Sequence, residues 1–516
     1  MDQPIAMIDL NALRHNFNEL KKRAPHSYML AMIKSNGYGH GAVEIARTLI
    51  DADMFGVARL NEALELRHAK IEQPILLMPG FLEEEQLKLI AEYNIDIVIH
   101  HQHQIESLKK TTLHHTFNVW LKFDTGMHRL GFEPDDALEI YNTLKALKNV
   151  NLKCCMTHFA CVDEIDHPVN KIQFDRLNQL REQLPNELWS AAKSASIFNF
   201  PEMNLDWARP GIALYGISPF ADKVGIELGL QPVMTLKAPV ISIHDVAKGE
   251  SVGYAGIWTA SEATKIAVIG LGYSDGYIRH MAQGAPILIN GKHAFLIGRV
   301  CMDMLMVDLR ENENVKIGDM ATLWGEGLPI GTVAKRAETT AYELVCNVGT
   351  RVKFIYKHKI MVKVSIEKQT VCIFEQNKLL YTFSVSTAKN GAGELHGSNQ
   401  TPRGLHEIAE KIGEDQPEDA VFIRRKPTGE IYTEALAKAF PERDWILTRI
   451  LWLGGKEPTK NQGGDVDTKS RYIYFHGTPS TNPMGVPESH GCIRMMNKDL
   501  LTLFSLVDVG TLVEIE

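Results

Sequence analysis

Residues 28–41 read Tyr-Met-Leu-Ala-Met-Ile-Lys-Ser-Asn-Gly-Tyr-Gly-His-Gly. The first six form an apolar, strand-like run. Lys34 ends that run, a glycine-rich turn follows, and residues 41–50 are amphipathic at helical spacing. A strand that turns through glycines into a helix is one βα unit. A lysine at the end of such a strand has two readings. It can snorkel at a rim, with its stem on apolar surface and its ammonium in water. It can also be a Schiff-base lysine, which needs a partly desolvated site to lower its pKa. Composition alone does not separate the two.

The same unit repeats outward. Strand-like 55–58 precedes helical 61–69, 75–78 precedes 82–93, and 95–99 precedes 103–110. Runs at 117–123, 152–158, 188–194 and 212–216 continue the series. Alternation of this kind predicts a parallel sheet, and about eight units in roughly 230 residues fit a (β/α)8 barrel. After Pro232 the pattern changes to short strands with glycine-rich turns, at 233–242, 267–270 and 294–296. A third, β-rich series at 361–366, 371–374 and 379–385 follows the charged run Lys357-His-Lys359. The expected fold class is therefore α/β plus β. A barrel (1–230) is followed by a β domain (231–360) and a mostly-β domain (361–516).

Composition narrows the function. The 516 residues carry a formal net charge of -8, which argues against a polyanion-binding surface, so no nucleic-acid partner is expected. Residues 1–10 have an acid at position 2, no basic segment and no apolar core, unlike a signal peptide. No stretch approaches the roughly 18 apolar residues that span a bilayer. No membrane partner is expected, and the reading of compartment is cytoplasmic. Seven scattered cysteines, an odd count, do not form a disulfide framework. His100, His101 and His103 lack a companion Cys or acid and read as a solvated loop, and no metal site is expected. Gly270-Leu-Gly272 does not complete a dinucleotide fingerprint.

Near the C-terminus a strand-like run, 471–476, ends in His476. A turn-rich loop follows, then Ser489-His-Gly-Cys-Ile-Arg494. Asn497 is placed to cap a last helix with Leu500, Leu501, Leu503, Phe504 and Val507 on its apolar side. A cysteine with two nearby histidines points to a nucleophile and base, the imidazole stabilising a thiolate and Gly491 admitting a substrate backbone. The other readings are an inert buried thiol and a zinc site, for which one Cys and two His are too few.

Several stretches resemble bacterial alanine racemases, in family order over residues 1 to 360. They are Lys34-Ser-Asn-Gly-Tyr-Gly-His-Gly41, Lys122-Phe-Asp-Thr-Gly-Met-His-Arg-Leu-Gly-Phe132, Met156-Thr-His-Phe-Ala160 and Asp206-Trp-Ala-Arg-Pro-Gly-Ile-Ala-Leu-Tyr-Gly216, followed by Val252-Gly-Tyr254, Gly272-Tyr-Ser-Asp-Gly-Tyr277, Gly298-Arg-Val-Cys-Met-Asp303 and Ala341-Tyr-Glu343. The resemblance implies pyridoxal 5'-phosphate held by Lys34, with Lys34 and Tyr254 as bases on opposite faces of the alanine Cα. It implies Arg209 at the pyridine nitrogen, where a guanidinium keeps its proton and leaves the ring nitrogen unprotonated. Tyr38, Ser194, Gly211, Ile212 and Tyr342 would hold the phosphate. Arg129, His158, Met302, Asp303 and Tyr273 would complete the cofactor and substrate network. Lys122 matches a position that can be carbamylated. Because the family's tyrosine comes from the partner subunit, a homodimer through the racemase domains is implied. Two positions depart from the family: Lys193 stands where many members have Asn, and Ala255 where a glycine commonly follows the tyrosine. Decarboxylases of the same fold put an acid at the pyridine nitrogen, which Arg209 does not match.

Residues from about 370 to 516 resemble L,D-transpeptidase catalytic domains, through His476, the Ser489 to Arg494 motif, Thr401-Pro-Arg-Gly404 and the glycine-rich 454–465 stretch. The resemblance implies Cys492 as nucleophile and His476 as base. His490, Gly491 and Arg494 would be substrate or oxyanion contacts, and Arg494 stands where other members have Asn. The implied substrates are murein stem peptides, cut between a diamino acid and terminal D-Ala. Taken with the expected compartment, the reading is an L,D-carboxypeptidase that releases D-Ala for the attached racemase. The alternatives are an L,D-transpeptidase and a non-catalytic murein-peptide binding module.

Overall fold

The computed structural model describes residues 3–312, 314–357, 360–375 and 378–516. Met1 and Asp2 of the N-terminal stretch, and His358 and Lys359 of the charged run, lie outside the described residues. The chain divides into two compact units, Met1–Lys357 and His358–Glu516. Among the described residues no helix is long and apolar enough to cross a membrane.

In the first unit β1 (Ile5–Asp9) precedes a closed barrel of parallel strands. The barrel strands are β2 (Tyr28–Met32), β3 (Met54–Val57), β4 (Ile75–Leu77), β5 (Asp96–Ile99), β6 (Phe117–Lys122), β7 (Val150–Met156), β8 (Trp189–Lys193) and β9 (Trp207–Arg209). Tyr28 opposite Trp207 and Met29 opposite Ala208 close the ring. Strands covered on both faces must be apolar throughout. Accordingly all four residues of β3 and of β5 are buried. Two expectations need correcting. Residues 212–216 are not the eighth strand; Ile212–Tyr215 is a buried 3-10 turn between Gly211 and a left-handed Gly216, and β9 closes the barrel instead. Burial makes such a run apolar whatever its backbone does. Nor does β1 belong to the barrel within 1–230. It pairs antiparallel with Met234–Val246 (Ile5 opposite Lys237) and parallel with Lys353–Lys357. Its partners are more than two hundred residues away, so nothing local reports the pairing.

Those strands belong to an eight-stranded sheet that closes on itself, because Met234–Val246 pairs with both Thr264–Ile269 and Met320–Trp324. Helices Ile330–Arg336 and Ala341–Cys346 come from this part of the chain, and Ala341–Cys346 packs on the Lys34–Gly39 turn at the barrel mouth.

The second unit is a ten-stranded sheet. At its centre Tyr474–Thr478 runs parallel to Ile493–Met496, with His476 opposite Arg494. Phe475, Ile493 and Met495 are fully buried, in one core with Leu500, Leu503 and Phe504 of helix Asn497–Leu506. Asn497 is the first helical residue rather than the cap; its amide donates to Asp419 Oδ1 (2.5 Å).

Candidate active sites

The barrel presents its chemistry at the C-terminal ends of its strands, where this architecture places active sites. Lys122 and Arg209 are the last residues of β6 and β9. Ser194 follows β8 directly, while Lys34 and His158 follow β2 and β7 after a short gap. With Tyr38, Arg129, Gly211, Ile212 and Tyr342 they line one cavity of about 890 Å3.

Local backbone chemistry holds each of these groups. After β2 the chain makes a left-handed turn, with Ser35, Asn36, Gly37 and Tyr38 all at φ between 51° and 63°. Left-handed L-residues cost about 1–2 kcal/mol each, so the turn needs anchors. The Glu62 carboxylate accepts from Ser35 N (2.6 Å) and Ala58 N (2.8 Å), and Asn36 Oδ1 accepts from Ala42 N (2.9 Å). The turn brings Tyr38 against Gly211, where an added Cβ would lie 2.7 Å from the Tyr38 hydroxyl. Ser194 Oγ accepts from Gly211 N (2.9 Å) and Ala213 N (3.3 Å). The Arg129 loop is tied by Asp124, whose carboxylate accepts from the backbone N–H groups of Gly126, Met127, His128 and Arg129. Neither Glu62 nor Asn36 carries a signal in the sequence that separates it from an ordinary polar residue. Asp124 lies inside a family motif, and its hold on the Arg129 loop shows only in the structure.

The electrostatics are those of crowded cations in a poorly solvated space. Burial, then the Arg129 charge, lowers the Lys34 pKa. Burial, then Arg209 and Arg129, push Lys122 down to about 8. Burial and Arg209 hold His158 well below its ordinary value, so it stays neutral. Arg209 is pushed down by burial only to about 10 and keeps its proton at neutral pH. Its guanidinium donates to Ser190 Oγ (2.5 Å), Thr157 O (2.7 Å) and Ala191 O (3.1 Å), and lies 3.3 Å from His158 Nδ1. His40, fully buried, keeps Nδ1 against the carbonyls of Tyr38 (2.8 Å) and Gly37 (3.1 Å), while its Nε2 has no partner among the described residues.

Tyr254, Met302, Asp303 and Tyr273 do not line this cavity. Tyr254 is 70% exposed, in a turn with Ala255 at φ 62°. Met302 and Tyr273 are also exposed, and Asp303 accepts from Arg351 (2.8 Å) and Ser274 Oγ (3.1 Å).

In the second unit Cys492 immediately precedes strand Ile493–Met496 and packs, partly buried, against the cluster of Ala420, Phe422, Ile450 and Tyr474. Its thiol donates to the Tyr472 carbonyl (3.3 Å), not to His476. His476 is buried, with Nδ1 2.9 Å from the Gly477 carbonyl oxygen. Burial pushes the thiol up to about 12 and the imidazole down to about 4. Both shifts favour the neutral forms over the imidazole-stabilised thiolate that the motif implies. The motif itself is held by Ser489, which donates to Cys492 O (2.5 Å) and accepts from Gly491 N (3.2 Å), and by Thr401, which donates to Gly491 O (2.9 Å). Asp444, which no motif marks, bridges Arg494 (3.0 Å) and the exposed His490 (3.9 Å). No cluster of three or more His, Cys, Asp or Glu suited to a metal occurs among the described residues.

Comparison with known proteins agrees with this geometry. Residues 8–219 and 233–356 match the alanine racemase N-terminal and C-terminal domain models. The first unit is 45% identical to an alanine racemase of Coxiella burnetii over 361 residues, 69% of this chain and 99% of that protein. The chain belongs to the alanine racemase family. The biosynthetic alanine racemase structure from Pseudomonas aeruginosa superposes with TM-score 0.67 at 41% identity, covering 69% of this chain and all of that one. The Acinetobacter baumannii enzyme gives 0.66 at 39%, over the same shares. Residues 359–515 match the L,D-transpeptidase catalytic domain, so an alanine racemase is fused here to a second catalytic domain.

The cofactor of alanine racemases is pyridoxal phosphate, and the cavity fits it. It offers a half-buried lysine amine, a buried guanidinium, an unpartnered imidazole nitrogen and a cradle at Gly211 that a Cβ would fill. Gly211→Ala is expected to weaken cofactor binding by about tenfold or more, the loss of one charge-assisted hydrogen bond, read by spectroscopic titration of the apoenzyme. Unchanged affinity would contradict the cradle. Because the Cys492 thiol is raised to about 12, its alkylation rate is expected to keep climbing with pH through 10. A plateau near pH 6 or 7 would show a preformed thiolate.

Proposed function

We propose that the first unit interconverts L- and D-alanine by a two-base mechanism and that the second releases terminal D-Ala from murein tetrapeptides. The observation that carries the first part is Lys34, an amine of lowered pKa at the mouth of a barrel, in a cavity it shares with Lys122, Arg129 and Arg209. Bound through Lys34, pyridoxal phosphate supplies the electron sink that makes the alanine Cα–H acidic. Tyr38, Ser194, Gly211, Ile212 and Tyr342 would hold its phosphate. Arg129 orients the substrate carboxylate. Arg209 keeps its proton, so a nitrogen facing it receives a hydrogen bond and no proton. Lys34 Nζ takes or returns a proton on one face of Cα, and the Tyr254 hydroxyl does so on the other. Tyr254 stands exposed and away from its own cavity, which supports a symmetric homodimer in which Tyr254, Tyr273, Met302 and Asp303 complete the partner's site. With a pKa of about 8, Lys122 has a neutral fraction that can add CO2, losing a proton and becoming an anion between Arg129 and Arg209.

For the second unit, Cys492 Sγ attacks the carbonyl before terminal D-Ala, and its proton passes through His476 Nε2 to the leaving amine. Water then hydrolyses the thioester. The neutral resting pair is compatible with this, since the proton can move when substrate replaces the Tyr472 contact. The fusion supports hydrolysis over cross-linking, because the residue released is a substrate of the attached racemase. One chain keeps both activities in one compartment, and the attached racemase supports the cytoplasm as that compartment. The intact Cys492 and His476 favour an enzyme over a binding module.

Lys34→Ala and Tyr254→Phe homodimers are each expected to lose interconversion, and their mixture to recover about a quarter of it through heterodimers with one complete site. Neither change should alter D-Ala release, which Cys492→Ala alone should remove. An inactive mixture refutes the shared site, and release that survives in Cys492→Ala refutes the nucleophile.

A further inference from the structure

The half-buried Arg425 guanidinium has no counter-ion among the described residues and shares a neighbour, Tyr472, with the Cys492 thiol. Strands Ala420–Ile423 and Lys426–Ile431 pair antiparallel, with Ile423 opposite Lys426, so Arg424 and Arg425 form a two-residue hairpin loop. Both have positive φ, 49° and 67°. Such a loop normally takes Asn-Gly, because side chains disfavour that backbone. Here a contact further along the chain holds it. The Arg425 guanidinium lies 4.2 Å from the Tyr472 ring centre and 4.7 Å from that of Trp452. The same Tyr472 accepts the Cys492 thiol on its carbonyl (3.3 Å). One residue thus carries the guanidinium on its ring and the nucleophile on its backbone.

Stacking engages the face of a guanidinium and leaves its in-plane N–H donors free. The neighbouring arginines have spent theirs: Arg443 pairs with Glu430 (2.7 Å) and Arg494 with Asp444 (3.0 Å). Arg425 has no hydrogen bond and no ion pair among the described residues. An oriented fork of unspent donors matches a carboxylate, which it can bind through two parallel hydrogen bonds.

We propose that Arg425 forms a carboxylate subsite of the Cys492 centre and takes the free α-carboxylate of the residue that leaves. Arg425 is then a specificity-determining residue. It selects peptides whose scissile bond precedes the last residue, and so makes the centre an exopeptidase. Trp452 and Tyr472 are its positioning residues. This inference deepens the carboxypeptidase reading and rests on it.

The test uses the full chain and three murein tetrapeptides: the free acid, the terminal carboxamide, and a form amidated only at the side-chain carboxyl of the diamino acid. Release of the last residue is followed by chromatography. Wild type is expected to prefer the free acid over the terminal carboxamide by about tenfold to a hundredfold in kcat/KM, mostly through KM. Arg425→Gln should bring that ratio close to one, Arg425→Lys should keep part of it, and Arg424→Gln should leave it unchanged. Each ratio is taken within one preparation, so a partly folded variant does not distort it. An unchanged ratio in Arg425→Gln overturns the subsite while leaving the carboxypeptidase reading intact. A preference that depends on the side-chain carboxyl instead overturns the assignment to the leaving residue. If wild type releases the last residue from none of the three, the carboxypeptidase reading fails and this inference falls with it.

Discussion

Like charges crowded around one cavity govern the first unit. Lys34, Lys122, Arg129 and Arg209 share one cavity, and Asp163 is the only acidic residue lining it among the described residues. In a medium of reduced dielectric that crowding disfavours each positive charge. The two lysines respond because amines can give up a proton, whereas the guanidiniums barely can. The result is a reactive amine, a neutral His158 and a strong attraction for anions. A phosphorylated cofactor and a substrate carboxylate both supply them. The strained turn after β2 and the Asp124 clamp hold cations where they would otherwise spread apart.

The second unit meets the opposite condition. Its base is buried and its nucleophile partly so, desolvation favours the neutral form of each, and the nearby charges are Arg494 and Asp444. Reactivity is then a property of the enzyme with its peptide. Displacing the Tyr472 carbonyl from the thiol and bringing in a carboxylate would change both the solvation and the field at Cys492.

Much of this was legible because chemistry and architecture coincide at strand ends. Lys34 announces itself by ending an apolar run, and the family resemblance marks Lys122, Ser194 and Arg209 at other strand ends. The residues that escaped notice act through geometry. Glu62 caps backbone N–H groups as many surface glutamates do, and Asp444 is one acid among many. Arg425 matters because of two rings at 452 and 472, which no local pattern connects to it. The turn at Ile212–Tyr215 reads as a strand for a related reason, and the strand at Ile5–Asp9 gives no local sign of its sheet. Burial makes a segment apolar, but its hydrogen-bond partners decide whether it is a strand and in which sheet.

The two chemistries meet in one molecule, D-alanine, which the second centre would release and the first would convert. Incubating the full chain, loaded with cofactor, with murein tetrapeptide and resolving both alanine enantiomers over time tests that link most directly. The account predicts D-alanine first, with L-alanine following after a lag. Released alanine that never appears, while added D-alanine is still racemised, would contradict it.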